Sequence, residues 1–386
     1  MGFPASNLDG GAIARHLFRR MNPIRAALLI LCFSAACGPA VAAPQVAPVE
    51  KHVAGLHRLP STVHGRVLVR SDGFVRQWPG TYFETAFSGR SAYFSLGPGQ
   101  VIAHVLIDGR VVYTLMRPAA AMFRVNGLAA GMHRIRIEIA NESQDRPSIF
   151  GGFFATRAVK GRRIAARSRQ IEFIGDSYTV GYGNQSPTRD CTEKRVWETT
   201  DTSEAFGPLL AKRYGADYQV NAISGRGVVR SYDGAKVDPL PAAYPFVLFD
   251  KAQVYRDPRW RPQLIVVGLG TNDFSTQLHA GEKWRSREEL RADFEASYVR
   301  FVQELRSHNQ RAFFLLWATD TAEGEVAAET KRVVERLQAD GERRVAFLEV
   351  PGLAFTGCNY HPSIADDRTI ADRLARVIEA QVPFGR

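Results

Sequence analysis

The sequence predicts an α/β fold, a parallel sheet layered between helices, preceded by an all-β sandwich of the jelly-roll kind. Two observations carry this expectation. At 386 residues the chain exceeds what one core commonly serves, so two domains are expected. The hydrophobic period also changes near residue 158, from short alternating segments before it to apolar runs separated by helical stretches after it. An apolar fraction of 45% with 23% charged residues describes a globular chain rather than a disordered one.

The first 42 residues read as a secretory signal. Ala26 to Ala36 is an apolar run that begins after Arg25 and is followed by Ala40-Val41-Ala42, a small-residue cleavage pattern. The leader is long, and Met21 is an alternative start. The run is too short for a confident membrane span. Cleavage after Ala42 leaves Cys191 and Cys358 as the cysteines of the mature chain, which is expected to be secreted or periplasmic. A second reading makes Cys37 a lipid-anchor cysteine, but Ser34 stands where such signals usually carry leucine.

Residues 45–157 are expected to form the sandwich. In His133 to Ile139, Ile135, Ile137 and Ile139 share one strand face while Arg134, Arg136 and Glu138 share the other. Val105-Leu106-Ile107 and Val111-Val112-Tyr113 flank Asp108-Gly109-Arg110, and Asp-Gly accepts the positive backbone dihedrals of a tight hairpin. Residues 158–169 are basic and poor in apolar side chains, so they are expected to be a linker.

Residues 170–386 are the α/β domain. Ile171–Ile174, Tyr218–Ala222, Leu264–Gly268, Phe313–Trp317 and Val345–Val350 are the expected buried strands. Leu290, Phe294, Tyr298, Phe301 and Leu305 share one helix face, as do Ile370, Leu374 and Ile378. In such a fold, sites collect at the carboxyl ends of the strands.

Four segments fall there. Gly175-Asp176-Ser177-Tyr178-Thr179 follows the first strand, and Ser224-Gly225-Arg226-Gly227 the second. Gly268-Leu269-Gly270-Thr271-Asn272-Asp273 follows the third, and Gly357-Cys358-Asn359-Tyr360-His361-Pro362 the last. A serine hydroxyl is a weak nucleophile and needs a base such as histidine. Acyl transfer also needs fixed donors for the developing oxyanion, which a glycine amide and an asparagine side chain provide. Thr179 stands where the G-x-S-x-G elbow of α/β-hydrolases carries its last glycine, so that family is not indicated.

The four blocks, in this order, resemble the SGNH (GDSL-type) hydrolase superfamily, whose flavodoxin-like three-layer α/β/α domain the second half would form. The naming residues map onto Ser177, Gly225, Asn272 and His361. With a β-sandwich in front, the GDSYTVGYGN, SGRG, GTNDF and GC-x-x-HP segments most resemble carbohydrate esterase family 2. That resemblance implies a serine esterase, acetylxylan esterase-like, that removes O-acetyl groups from xylan, mannan or glucan. Ser177 would be nucleophile and His361 general base, the amides of Ser177 and Gly225 with the Asn272 side chain would hold the oxyanion, and no cofactor or metal is implied. Many members carry aspartate three residues before the histidine; Cys358 stands there instead. The family includes members in which a backbone carbonyl takes the acid's place, so a Ser177–His361 dyad is expected, with Asp320 the alternative acid.

Cys191 lies in the loop after the nucleophile block and Cys358 beside the base, so a disulfide pinning the Asn184–Thr202 loop over the site is expected. Tyr178, Tyr182, Trp197, Phe274, Trp284 and Tyr360 lie in or near the site loops and are the candidate sugar contacts. Asp176 and Asp273 are expected to hold loop amides. The histidines show no paired metal-ligand spacing. The net charge of +11 comes without a nucleic-acid-binding motif, so an acetylated carbohydrate is the expected partner and nucleic acid is not. The competing functions are an esterase or thioesterase for other acyl chains, a deacetylase of envelope polysaccharide, and a carbohydrate-binding protein without turnover.

Overall fold

The structure is a computed structural model and describes residues 43–49, 53–97, 99–119 and 121–382. The expected signal segment, with Met21 and Cys37, lies outside the described residues. Among the described residues no helix is long and apolar enough to cross a membrane.

The first half is an antiparallel sandwich. One sheet runs Gln45–Pro48, Ala121–Asn126, Ala92–Leu96, Ser148–Thr156, Gly73–Arg76, Leu68–Arg70, with Leu56–Arg58 also paired to Ser148–Thr156. The other runs Lys160–Arg162, Tyr82–Ser88, Met132–Ile139, Ile102–Ile107, Arg110–Met116, with Thr62–His64 paired to Tyr82–Ser88. Ile135, Ile137 and Ile139 are fully buried between the sheets beside Phe83, Phe94 and Phe150, as the alternation requires. Ile107 pairs with Arg110, and Asp108 and Gly109 both take positive φ, 51° and 84°, in the two-residue hairpin.

The expected linker is a docked segment instead. Lys160–Arg162 is an edge strand on Tyr82–Ser88, and Thr62 exchanges side-chain hydrogen bonds with both backbone groups of Ile164. Its basic composition hid this, because a short edge strand needs backbone pairing and little apolar surface.

In the second half, β1 (Gln170–Gly175), β2 (Asp217–Ala222), β3 (Leu264–Gly268), β4 (Phe313–Ala318) and β5 (Val345–Glu349) form a parallel sheet in the order β2-β1-β3-β4-β5. The helices are α1 (Ser177–Val180), α2 (Glu193–Thr199), α3 (Phe206–Arg213), α4 (Leu240–Ala243), α5 (Thr271–Phe274), α6 (Arg287–His308), α7 (Glu325–Ala339) and α8 (Ile364–Gln381). Two apolar cores sandwich the sheet. One joins Ile265 and Leu316 to Phe294 and Val334, the other joins Phe173 and Leu315 to Phe206 and Leu374. Every residue of β1 except Gln170, and all of β2, β3 and β4, is buried, so β3 and β4 read as continuous apolar runs while Glu172 in β1 and Asp217, Gln219 and Asn221 in β2 are buried polar groups.

The polar face of the sandwich does not face water. Glu84 and Glu138 are each 1% exposed, and Glu138 accepts a hydrogen bond from the hydroxyl of Tyr218 on β2. Arg136 ion-pairs with Glu138 at 3.0 Å and also donates to that hydroxyl. Nearby, Arg66 stacks on Trp78, Tyr244 and Tyr255, and the Trp78 indole N–H donates to Val247 O at 3.0 Å. Charges buried this way persist only when paired.

Candidate active site

The Ser177 turn follows directly from the sheet. Gly175 ends β1 in register with Gly268 of β3, and a Cβ there would lie 2.0 Å from Thr179 Oγ1 and 2.8 Å from Gly268 O, so only glycine fits. Asp176 caps α1, its carboxylate accepting from Tyr178 N while its carbonyl accepts from Thr179 N and Val180 N. The first helical N–H has no partner within a helix, and among the described residues the Ser177 amide at the strand end has no backbone acceptor.

His361 arrives from the opposite side, between Cys358–Tyr360 and the capping box of Ser363 and Asp366 that starts α8. Its Nε2 lies 2.8 Å from Ser177 Oγ. Its Nδ1 lies 3.0 Å from Cys358 O and 3.1 Å from Asn359 O. Carbonyl oxygens only accept, so Nδ1 carries the proton and Nε2 is the acceptor that faces the serine hydroxyl. The ring is half-buried, with Tyr182 4.3 Å and Tyr178 5.4 Å away between centroids. Desolvation lowers its pKa to about 4, against the two carbonyls, which favour the charged form. The imidazole is therefore neutral at pH 7, the state a general base requires.

Among the described residues no carboxylate hydrogen-bonds or ion-pairs with His361. Asp320 is exposed and accepts from Gly352 N at 3.0 Å, so it braces a neighbouring loop. The buried carboxylates support the other turns. Asp273 accepts the amides of Val228, Val229 and Arg230, and Asp176 accepts from Asn272 Nδ2 at 3.1 Å. Burial raises the pKa of Asp176 to about 7 and that of Asp273 to about 6. The second N–H of Asn272 goes to Arg226 O at 3.0 Å, next to Gly225.

Cys191 and Cys358 are disulfide-bonded, Cα to Cα 5.4 Å. The bond ties the loop before α2 to the residue whose carbonyl holds His361. Gly183 packs against the same cysteine, where a Cβ would come within 2.4 Å of Cys358 Cβ.

The expected sugar contacts separate into two groups. Tyr178 and Tyr182 flank His361, Tyr360 is 65% exposed beneath the Arg189 guanidinium, and Trp197 on α2 faces Arg117 of the sandwich at 4.1 Å. Phe274, by contrast, is 2% exposed and packed on Phe294 in the core. Trp284 is half-buried against that core, with its indole N–H on Asp293 at 2.9 Å. Both belong to the segment joining β3 to α6, whose apolar side chains the core takes up.

Glu142 and Gln144, in the sandwich, reach the site unannounced by any sequence block. Glu142 accepts from Ser224 N at 2.9 Å and Gln144 donates to Ser224 O at 3.2 Å, so a sandwich loop grips the turn that carries Gly225. A contact across eighty residues leaves no periodic signal.

Comparison with known proteins shows the family. Residues 63–161 match the carbohydrate esterase 2 N-terminal family, and residues 173–379 match the GDSL-like lipase/acylhydrolase family. The chain is 44% identical over 322 residues to an acetylxylan esterase / glucomannan deacetylase of Cellvibrio japonicus, covering 82% of this chain and 89% of that protein. It is 27% identical over 320 residues to the cellulase/esterase CelE of Acetivibrio thermocellus, covering 78% of this chain and 37% of that one. Among solved structures, it resembles a carbohydrate esterase whose active site displays divergent catalytic and non-catalytic binding functions, with TM-score 0.80, 41% identity, and coverage of 84% of this chain and 98% of that one. A family two carbohydrate esterase from Clostridium thermocellum in complex with cellohexaose follows at TM-score 0.74 and 25% identity, over 83% and 98% of the two chains. The chain belongs to the GDSL-like (SGNH) hydrolases and, within them, to carbohydrate esterase family 2, and it is a carboxylic ester hydrolase.

Proposed function

We propose that this protein is an exported esterase that removes O-acetyl groups from plant-type polysaccharide of the xylan, mannan or glucan class, with Ser177 and His361 as its catalytic dyad. The observation that carries the reading is the 2.8 Å approach of His361 Nε2 to Ser177 Oγ, with Nδ1 held by carbonyls in the tautomer that makes Nε2 a base. The activity of the Cellvibrio japonicus relative supports the substrate class. The disulfide supports export, since such bonds persist in oxidising compartments.

In this mechanism Ser177 Oγ attacks the acetyl carbonyl carbon as its proton passes to His361 Nε2. The oxyanion is met by the Ser177 and Gly225 amides and by Asn272 Nδ2, which gives up Arg226 O to reach it. Collapse breaks the bond to the sugar oxygen, which takes the proton from Nε2 and leaves as an alcohol. Water then adds to the acetyl-serine, giving its proton to Nε2; acetate leaves, and Ser177 Oγ recovers the proton. Throughout, the Cys358 and Asn359 carbonyls keep the Nδ1 proton in place and stabilise the transient imidazolium.

The test is acetate release from acetylated xylan and glucomannan by the wild type and S177A. Release by the wild type alone supports the dyad; equal release by both, or none by either, removes it.

A further inference from the structure

We propose that Arg189 is a positioning residue for the general base, and that it acts through the peptide joining Cys358 to Asn359, which aims His361 as a carboxylate does in a full triad. The inference rests on the dyad reading above and names the part of the chain that keeps the dyad aligned.

The two ends of one peptide unit carry the argument. The Cys358 carbonyl accepts from His361 Nδ1 at 3.0 Å, and the Asn359 N–H of the same peptide donates to Arg189 O at 2.6 Å. A trans peptide is planar, with C=O and N–H pointing in opposite directions, so a partner that fixes the N–H also fixes the direction of the carbonyl. Linked hydrogen bonds polarise one another, which makes Cys358 O the stronger acceptor. The chain of contacts runs from Arg189 O through this peptide to Nδ1, and from Nε2 to Ser177 Oγ at 2.8 Å.

Arg189 is in turn held by its own guanidinium, which donates from Nε to Phe355 O at 2.8 Å and from Nη2 to Ala354 O at 2.7 Å. The planar fork of arginine suits two neighbouring acceptors. Ala354 and Phe355 are fixed from the other side as well, their amides donating at 2.8 and 3.0 Å to the Asp366 carboxylate in the first turn of α8. Arg189 therefore bridges an anchored stretch before the histidine turn and the peptide inside it. Phe355 and Asn359 take positive φ, 49° and 50°, without being glycine, and such backbone persists only where neighbours over-determine it.

The disulfide does not make this contact redundant. The bond to Cys191 and the donation from Cys358 N to Gly183 O at 3.2 Å fix the side chain and the amide of Cys358. Neither restrains the rotation that swings its carbonyl. Within the turn that carbonyl also accepts from His361 N at 3.0 Å, a contact that moves with the turn itself. The bond to Arg189 O is the one that ties the peptide to the loop before α2.

Charge is not the means. The guanidinium is exposed and lies 5.0 Å from the Tyr360 ring, and a cation would oppose the imidazolium that forms in turnover. At the surface, salt also screens it. The effect of Arg189 is on direction, so it should not vary with NaCl.

The experiment compares the wild type with Arg189→Ala and Arg189→Lys on 4-nitrophenyl acetate. The same proteins, carrying isotope-labelled histidine, are examined by NMR for the His361 Nδ1–H resonance, identified by its loss in His361→Ala. The expected result for Arg189→Ala is a kcat lowered about tenfold or more at any NaCl concentration, with KM within about twofold, as misdirection of a reacting group costs. Arg189→Lys keeps one donor and should fall between. The Nδ1–H resonance should move upfield, or exchange faster with water, in the same order. Denaturant unfolding and the mass of the non-reduced protein check that fold and disulfide are kept, and Arg189→Lys carries the test should Arg189→Ala not fold. Full kcat in Arg189→Ala, a rise in KM that matches the fall in kcat, or a lowered kcat with an unmoved Nδ1–H resonance would each overturn the role. A resonance that moves in the variants of an enzyme whose wild type turns over no faster than S177A would sink the dyad reading and leave the positioning of the ring standing.

Discussion

Ser177 and His361 face each other across 2.8 Å, yet their two turns are held in opposite ways. The serine turn grows out of a central strand and is capped by Asp176, a fully buried carboxylate that accepts the Tyr178 amide and the Asn272 side chain. Among the described residues, the histidine ring itself meets no carboxylate. It relies on two backbone carbonyls and a disulfide, and Asn359 and Tyr360 take positive φ of 50° and 60° without being glycine. A side-chain acid can orient a histidine from a flexible loop. A carbonyl orients it only as well as its backbone is fixed, so here the covalent tie at Cys358 carries what an acid would otherwise do.

The sharpest break in this contrast is chemical. Ser177→Ala and His361→Ala should each lower kcat by roughly 10⁴ or more, because a dyad acts as a unit. The double variant should be little worse than either, and additive losses would mean that the two do not share a proton.

Removing the buried carboxylate behind the loop after β2 and the covalent tie behind the histidine turn should then give different signatures. Asp273→Ala leaves three amides without their acceptor in the interior, an expected loss of about 3 kcal/mol or more in denaturant unfolding. Paired Cys191→Ser and Cys358→Ser opens a tie between residues 167 apart, worth about 4 kcal/mol. Its mark should be a fall in kcat larger than any rise in KM, as the carbonyls lose their aim. Full kcat in the reduced or substituted protein would show that the turn holds itself.

The pH profile separates the carbonyl-held base from an acid-held one. Desolvation lowers the His361 pKa to about 4, so kcat/KM should stay level down to about pH 5 and fall as pH drops through about 4. The unfolded chain takes up this proton near pH 6.5, before the folded one does. His361, and likewise buried His64, therefore make folding less favourable as pH falls from 6.5 to about 4. An acid limb in kcat/KM at pH 6.5 or above would point to an unrecognised anionic partner.

The smallest expected effect is at Asp320. Asp320→Ala should change kcat/KM by no more than about twofold, since this exposed carboxylate only braces Gly352. A loss of a hundredfold would restore it as the third member.

Much of this was legible along the chain because its causes are local. Buried parallel strands are rich in apolar residues, helices on the sheet must repeat every three to four residues, and chemistry at strand ends must follow each strand in short blocks. Hence β1 to β5, the apolar faces of α6 and α8, and the four motif segments could be read in order. Asp108-Gly109 likewise marked its hairpin, since backbone dihedrals belong to the residues themselves.

What only the tertiary structure decided are pairings between distant residues. The sequence marked six aromatics alike, and packing sent Phe274 into the core and Trp284 to Asp293 while leaving Tyr178 and Tyr182 beside His361. It docked Lys160–Arg162 as a strand, buried Glu84 and Glu138 under the α/β domain, and brought Glu142 to Ser224. It also replaced the missing acid with the carbonyls of Cys358 and Asn359, which no side-chain pattern can announce because every residue has one. Periodicity reports which face a residue turns inward. What it meets there depends on the whole chain being folded.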